Sequence, residues 1–388
     1  MVDTVGIVGG GIMGCLTALA LARSGTRIVL FERHDRLMAG ASRGNEGKVH
    51  LGFLYGLDRT DATRSVMLRY GGQFQAALAS LLDTPGDDLF LHRRQFYAVH
   101  RDSALHDERV ANHMNAISTA LRDRGTVDAA VRQLQPAERK AQFTDRIRDV
   151  WEVPEGTVDC VALGRLVDAA VRAEPRIELR LGTRIDSISD EDRPTIRGAD
   201  GLELGQFDRV VNAAWDDMPR IEKQARAAMP DYCLRAKAGF IARVTGGEPA
   251  MPVTTVYGSF GDIVPQGDGT AYISWYPACL MGFTTEIDGG HAWYDRLAQR
   301  FDYDRAFRES VAAFAEMIPE LTVEPEPVRR LGGPILAVAV TDIPDLSSRL
   351  HERTHFGFHR RGNVIAVDTG KLTCGPGLAL ELRDMLLG

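Results

Sequence analysis

The sequence predicts an α/β protein: a βαβ nucleotide-binding unit made of separated stretches of chain, interleaved with a second unit built on an antiparallel sheet. Three observations predict it. The first thirty-two residues run strand, glycine turn, helix, strand. Strand-like segments at 234–244, 253–260 and 270–276 follow one another without intervening helices, as in an antiparallel sheet. An apolar strand at 207–212 and a strand, glycine turn and helix at 364–387 lie far from the opening unit in sequence. The nucleotide unit is therefore expected to be discontinuous, over 1–80, 151–218 and 330–388, with the substrate unit at 81–150 and 219–329.

Residues 5–8 are a short apolar run that reads as a buried parallel strand. Gly9, Gly11 and Gly14 then give G-x-G-x-x-G at the strand-to-helix turn, the Rossmann-type arrangement. Gly9 permits the turn, Gly11 lets backbone approach a pyrophosphate, and Gly14 lets helix pack on strand. The helix at 12–24 offers its N-terminal N–H groups to that pyrophosphate, so Ile12 and Met13 belong to the binding turn. A second strand at 28–31 ends on Glu32, placed for a ribose, with Arg33 beside it. These residues indicate a dinucleotide without saying which.

A polar, glycine-rich loop follows at 39–58, suited to lying against a ligand. Helical spacing marks 64–82, and 89–100 resembles a strand pair. Helices are expected at 105–124, 136–142 and 162–173, strands at 177–181 and 184–188, and a hairpin at 195–204. Further on come a helix at 304–317, a strand around 332–340, and the closing helix at 376–387.

Composition narrows the function classes. The chain has 388 residues, 44% hydrophobic and 26% charged, ordinary for a globular protein. A net charge of −7 argues against a nucleic-acid substrate. The five cysteines are scattered and form no C-x-x-C pair, a reduced, cytoplasmic pattern without a metal signature. No apolar run is long enough for a membrane span, and the N-terminus lacks the features of a signal peptide.

Four stretches in this order, GIVGGGIMG with Glu32, GASRGNEGKVHLG, FDRVVNAAW and VDTGKLTCGPGLALEL, resemble the D-amino-acid oxidase superfamily of FAD enzymes. The family includes glycine oxidase, sarcosine oxidase and L-2-hydroxyglutarate oxidase. The resemblance implies that Gly9, Gly11 and Gly14 cradle the FAD pyrophosphate and that Glu32 holds the ribose. Ser42, Asn45, Gly47 and Lys48 match the loop along the pyrophosphate and flavin edge. Arg184 and Ile185 match the segment that meets adenine, while Ala213 and Ala214 close over the nucleotide. Gly370, Lys371, Leu372 and Thr373 match the turn facing the flavin pyrimidine, where N–H groups stabilise negative charge. His50 matches a residue at the flavin face that is covalently bonded to flavin in some members; non-covalent FAD is the expectation here. Lys371 matches a lysine that contacts a substrate carboxylate. Tyr257, Trp275 and Tyr276 are expected as an aromatic substrate wall. The other cations, Lys48, Arg235, Lys237, Arg349 and Arg353, read as surface charges.

The expected activity is oxidation of a small amine or amino acid carrying a carboxylate, hydride passing from its α-carbon to flavin N5, with O2 or another acceptor reoxidising the flavin. An alternative is a 2-hydroxy acid, with electrons passed to a quinone or carrier. A second alternative is a flavin-binding partner protein without turnover. The G-D-A motif of aromatic hydroxylases is absent, as is a second dinucleotide turn for NAD(P)H. The chain also has Asp368-Thr369-Gly370-Lys371 in place of the family's usual glycine-histidine-glycine turn, so the substrate stays open. Oligomeric state is not legible.

Overall fold

The computed structural model describes residues 2–126, 129–189, 191–222 and 229–388. Thr4–Val8 is a strand, Ile12–Arg23 a helix, and Arg27–Phe31 the second strand. The helix is apolar all round and buried along its length from Ile12 to Ala22, as such a helix must be. The sheet lies against one side of it, and the helices Cys160–Ala173 and Gly375–Leu387 pack alongside.

Six strands form the first sheet, in the order Gly357–Arg361, Val364–Asp368, Arg209–Asn212, Thr4–Val8, Arg27–Phe31, Ile177–Arg180. All pairs are parallel except the edge pair of Gly357–Arg361 with Val364–Asp368. The register sets Val8 opposite both Phe31 and Asn212. Gly9, Glu32 and Ala213 therefore leave the sheet side by side at its carboxyl edge, where ligands bind in open α/β sheets.

The second sheet has ten strands organised on Tyr232–Gly246. One edge of that strand pairs antiparallel with Arg329–Val338, from Tyr232 opposite Val338 to Ile241 opposite Arg329. The other pairs with Thr270–Trp275 and Leu280–Thr284. Beyond them lie Gly261–Pro265, Val253–Val256, Gln95–His100 and Ile147–Val153. One pair in this sheet, Val253–Val256 with Gln95–His100, is parallel, which the antiparallel expectation did not contain.

Three other expectations are corrected. The single strand at 253–260 is two strands, because Tyr257 takes a left-handed φ of 63° and ends the first ladder. Arg329–Val338 belongs to the second sheet although a boundary at 330 assigns most of it to the first unit; pairing along Tyr232–Gly246 decides its membership. Ile147–Val153 likewise runs across the 150/151 boundary, and its tie to Gln95–His100 keeps it in the second sheet. The helix Gly290–Ala298 was not expected.

Candidate active site

A cleft of about 400 Å³ separates the carboxyl edge of the parallel sheet from the face of the antiparallel one. The glycine turn forms part of its wall. Gly9 has φ 104°, and a Cβ there would lie 2.5 Å from the Ala213 carbonyl oxygen. A Cβ on Gly14 would lie 1.8 Å from the Gly9 carbonyl oxygen, so only glycine lets helix and strand approach. Gly14 thus packs the turn and is not a wall of the cleft, whereas Gly9, Gly11, Ile12, Met13 and Glu32 line it. The Glu32 carboxylate accepts from Gly10 N at 2.6 Å and His34 N at 2.9 Å, which fixes it in the wall. Ser42 Oγ accepts from Ile12 N at 2.9 Å, clasping the loop to the helix N-terminus.

Arg33 lines the cleft with its charge answered by Asp216 at 3.4 Å and Asp217 at 3.2 Å. Arg184, Ile185, Ala213 and Ala214 also line the cleft. Asn45 also reaches the cleft, but its side chain is committed to the loop, donating to Ala41 O and Ser42 O and accepting from Gly47 N. Gly47 is structural: its φ is 75°, and a Cβ would meet the Val158 carbonyl oxygen at 2.1 Å. Thr373 is fully buried behind the wall, its Oγ1 accepting from His50 N at 2.8 Å. It bolts the C-terminal turn to the glycine-rich loop.

Further charged groups line the cleft. His50 is 2% exposed and lines the cleft, with Nδ1 3.5 Å from Glu155 Oε2. Gly370, Lys371 and Leu372 line it from the C-terminal turn, with Gly370 at φ 65°. Burial, then the neighbouring Arg353 and Arg235 charges, push the Lys371 ammonium down to about 8. Lys48 is no surface charge: it is 4% exposed and donates to Thr254 Oγ1 and to Asp262 Oδ1. Arg235 is also 4% exposed; its Nη1 lies 3.9 Å from Asp342 and donates to Tyr276 Oη at 3.5 Å. Arg353 is 9% exposed, with no carboxylate at ion-pair distance among the described residues. Lys237 lines the cleft as well, while Arg349 lies outside it.

Of the expected aromatic wall, Tyr257 and Tyr276 line the cleft and Trp275 does not. Tyr257 donates to Phe53 O at 3.0 Å and Tyr276 to the Asp342 carboxylate at 2.7 Å. Trp275 packs between Phe260 and Phe314, because strand alternation sends Tyr272 to the cleft and Trp275, an odd step away, to the other face. Sequence reasoning missed Tyr272, Glu46, Asp262 and Glu155. It also undervalued Arg235 and Lys237, which share one strand face and which strand pairing turns into the cleft. Glu46 lines the cleft and has no hydrogen bond or ion pair among the described residues. Burial and Asp262 push its carboxyl up, yet Lys48, Lys371 and Lys237 hold it below the ordinary range. No group of His, Cys, Asp and Glu among the described residues could hold a metal ion.

Glycines that only a close-approaching backbone explains, the N-terminus of a buried helix and a fixed acid after the second strand give the cleft the form of a Rossmann-type dinucleotide site. The chain belongs to the FAD dependent oxidoreductase (DAO) family, whose model matches residues 4–385. It is 26% identical over 212 residues to the FAD-dependent monooxygenase FPY4 of Fusarium mangiferae, and that match spans about half the relative's length (49%) and 55% of this chain. Glycine oxidase from Geobacillus kaustophilus superposes with a TM-score of 0.69 at 17% identity, covering 99% of this chain and 94% of that one. L-alpha-glycerophosphate oxidase from Mycoplasma pneumoniae, with FAD bound, gives 0.65 at 15% identity, covering 100% and 95%. At such identities the two structures show the fold. No helix among the described residues is long and apolar enough to cross a membrane.

Proposed function

We propose that the protein oxidises a small amine or amino acid bearing a carboxylate, using non-covalently held FAD. The observation that carries this reading is Arg353: a buried guanidinium without a carboxylate, beside Arg235 and Lys371 in the same cleft. Burying a charge without an ion-pair partner is costly, and an incoming anion offsets part of that cost. Arg353, Arg235 and Lys371 would bind and orient the substrate carboxylate. Glu46, held ionised by the nearby lysines but hydrogen-bonded to none of them, would take its nitrogen end. A 2-hydroxy acid would use the same cations but offer Glu46 no nitrogen donor, which supports the amine reading.

The residues present fit FAD. Gly9, Gly11, Ile12 and Met13 would hold its pyrophosphate, Glu32 and Arg33 its ribose, Arg184 and Ile185 its adenine, and Gly370 to Leu372 the flavin pyrimidine side. When bound, the flavin supplies a two-electron acceptor, and O2 as final acceptor would give an imine and peroxide. The protein contributes orientation, charge and exclusion of water by Tyr257, Tyr272 and Tyr276. A substrate panel under air, read by peroxide release, tests the reading: carboxylate-bearing amines should give peroxide, and turnover confined to hydroxy acids or to amines without a carboxylate would contradict it. Acid precipitation should leave the flavin in the supernatant.

A further inference from the structure

Glu155 is a fully buried acid that does not line the cleft but lies beside His50, which does. Every group around it is a donor. Leu51 N donates to Oε1, while Gln95 Nε2 at 2.7 Å and Tyr97 Oη at 2.5 Å donate to Oε2. The direction of this network is fixed from its far end. Lys48 Nζ has only protons to give, so it donates to Thr254 Oγ1, and Thr254 in turn donates to Gln95 Oε1 at 3.2 Å. That orients the Gln95 amide with its NH2 toward Glu155. Burial, then the Glu155 charge, hold the Tyr97 hydroxyl protonated as a donor. The carboxylate therefore accepts from three sides.

The fourth neighbour is His50 Nδ1, 3.5 Å from Oε2, a buried nitrogen with no hydrogen-bond partner among the described residues and Oε2 as its facing acceptor. An unprotonated Nδ1 would turn a lone pair toward a buried carboxylate; a protonated one meets its remaining acceptor. We infer that Glu155 is a positioning residue that holds His50 as the Nδ1–H tautomer, so that Nε2, on the opposite side of a ring lining the cleft, is a proton acceptor for the substrate. The proton taken up leaves the nitrogen of the bound amine and ends on Nε2, producing an imidazolium already paired with Glu155. This rests on the proposed amine oxidation in this cleft, with His50 at the flavin face, and it adds a base that the amine reading alone does not require.

Nitrogen NMR of histidine-labelled protein, without substrate, reports the tautomer directly. In the wild type the His50 signal, assigned by its loss in His50→Ala, should be that of an Nδ1–H ring. In Glu155→Gln the amide can donate to Nδ1, and the signal should move to the Nε2–H form. A wild-type ring in the Nε2–H form overturns the inference whatever the substrate is, and needs no variant to fold. Stopped-flow reduction of the bound flavin by an active amine should slow roughly a hundred- to ten-thousand-fold in both Glu155→Gln and His50→Ala. The double variant should be no slower than either single one. Unchanged reduction in Glu155→Gln, with the tautomer flipped, also overturns the positioning role. An Nδ1–H wild-type ring in a protein that no amine reduces would support the pairing and contradict the proposed substrate.

Discussion

At 9% exposure and without a carboxylate beside it, the Arg353 guanidinium keeps its charge at a cost that an anion in the cleft would relieve. Removing it should be felt mainly in binding. Arg353→Leu should raise KM for a carboxylate-bearing amine about 10- to 100-fold, by the value of a hydrogen bond to a charged group, and leave the methyl ester nearly unaffected. Lys371 adds a pH dependence. Its folded-state pKa, depressed to about 8, makes it cationic below that pH and neutral above it. Affinity for a carboxylate should fall as pH rises through about 8, and Lys371→Met should flatten that limb; equilibrium binding of an unreactive carboxylate inhibitor across pH checks it. The sign for stability is opposite, since between about 8 and 10.5 the unfolded chain binds the extra proton, so stability should rise with pH there. Residues of this kind were the least legible in sequence. Arg235 and Arg353 look like any surface arginine until strand pairing and the C-terminal turn bury them, and Glu155 became visible only once Gln95, Tyr97 and Leu51 had closed around it.

Elements built on local rules were the most legible. The opening strand, helix and strand follow from glycine spacing and an apolar run, and they fold as the sequence predicts. The reason is steric: Gly14 permits a backbone approach that a Cβ, 1.8 Å from the Gly9 carbonyl oxygen, would forbid. Gly14→Ala should therefore push the helix off the strand and release flavin. The flavin-to-protein ratio after desalting should fall well below that of the wild type, with stability reduced by about 1–3 kcal/mol, as overpacking usually costs, read by denaturant unfolding. Trp275 shows the converse. Its strand was predicted, but which face it presents depends on the register that places Tyr272 in the cleft. Trp275→Phe should lower thermal stability and leave KM unchanged, because its ring packs on Phe260 and Phe314 and does not itself line the cleft. Tyr257 broke an expected strand because a left-handed residue has no propensity signal strong enough to be seen in one sequence.

At the scale of the molecule, each half of the cleft is completed by distant chain. The parallel sheet needs strands from residues 4–31, 177–180, 209–212 and 357–368, and the second sheet threads between them. The spacing of strand-like stretches along the chain made this interleaving legible; pairing partners such as Arg329–Val338 with Tyr232–Gly246 were not, because non-local register leaves no mark in local composition. FAD bridging both halves should stabilise the whole fold: flavin at a thousand times its dissociation constant should add about 4 kcal/mol over the stripped protein, read by parallel unfolding curves. The measurement closest to the central claim is anaerobic reduction of the bound flavin by a panel of matched substrates. An amine with a carboxylate should bleach the flavin, and the same amine as its ester and the matching 2-hydroxy acid should do so far more slowly. Bleaching by the hydroxy acid but not the amine, or equal bleaching by acid and ester, would contradict the assignment of Arg353 and Glu46 to the two ends of an amino acid.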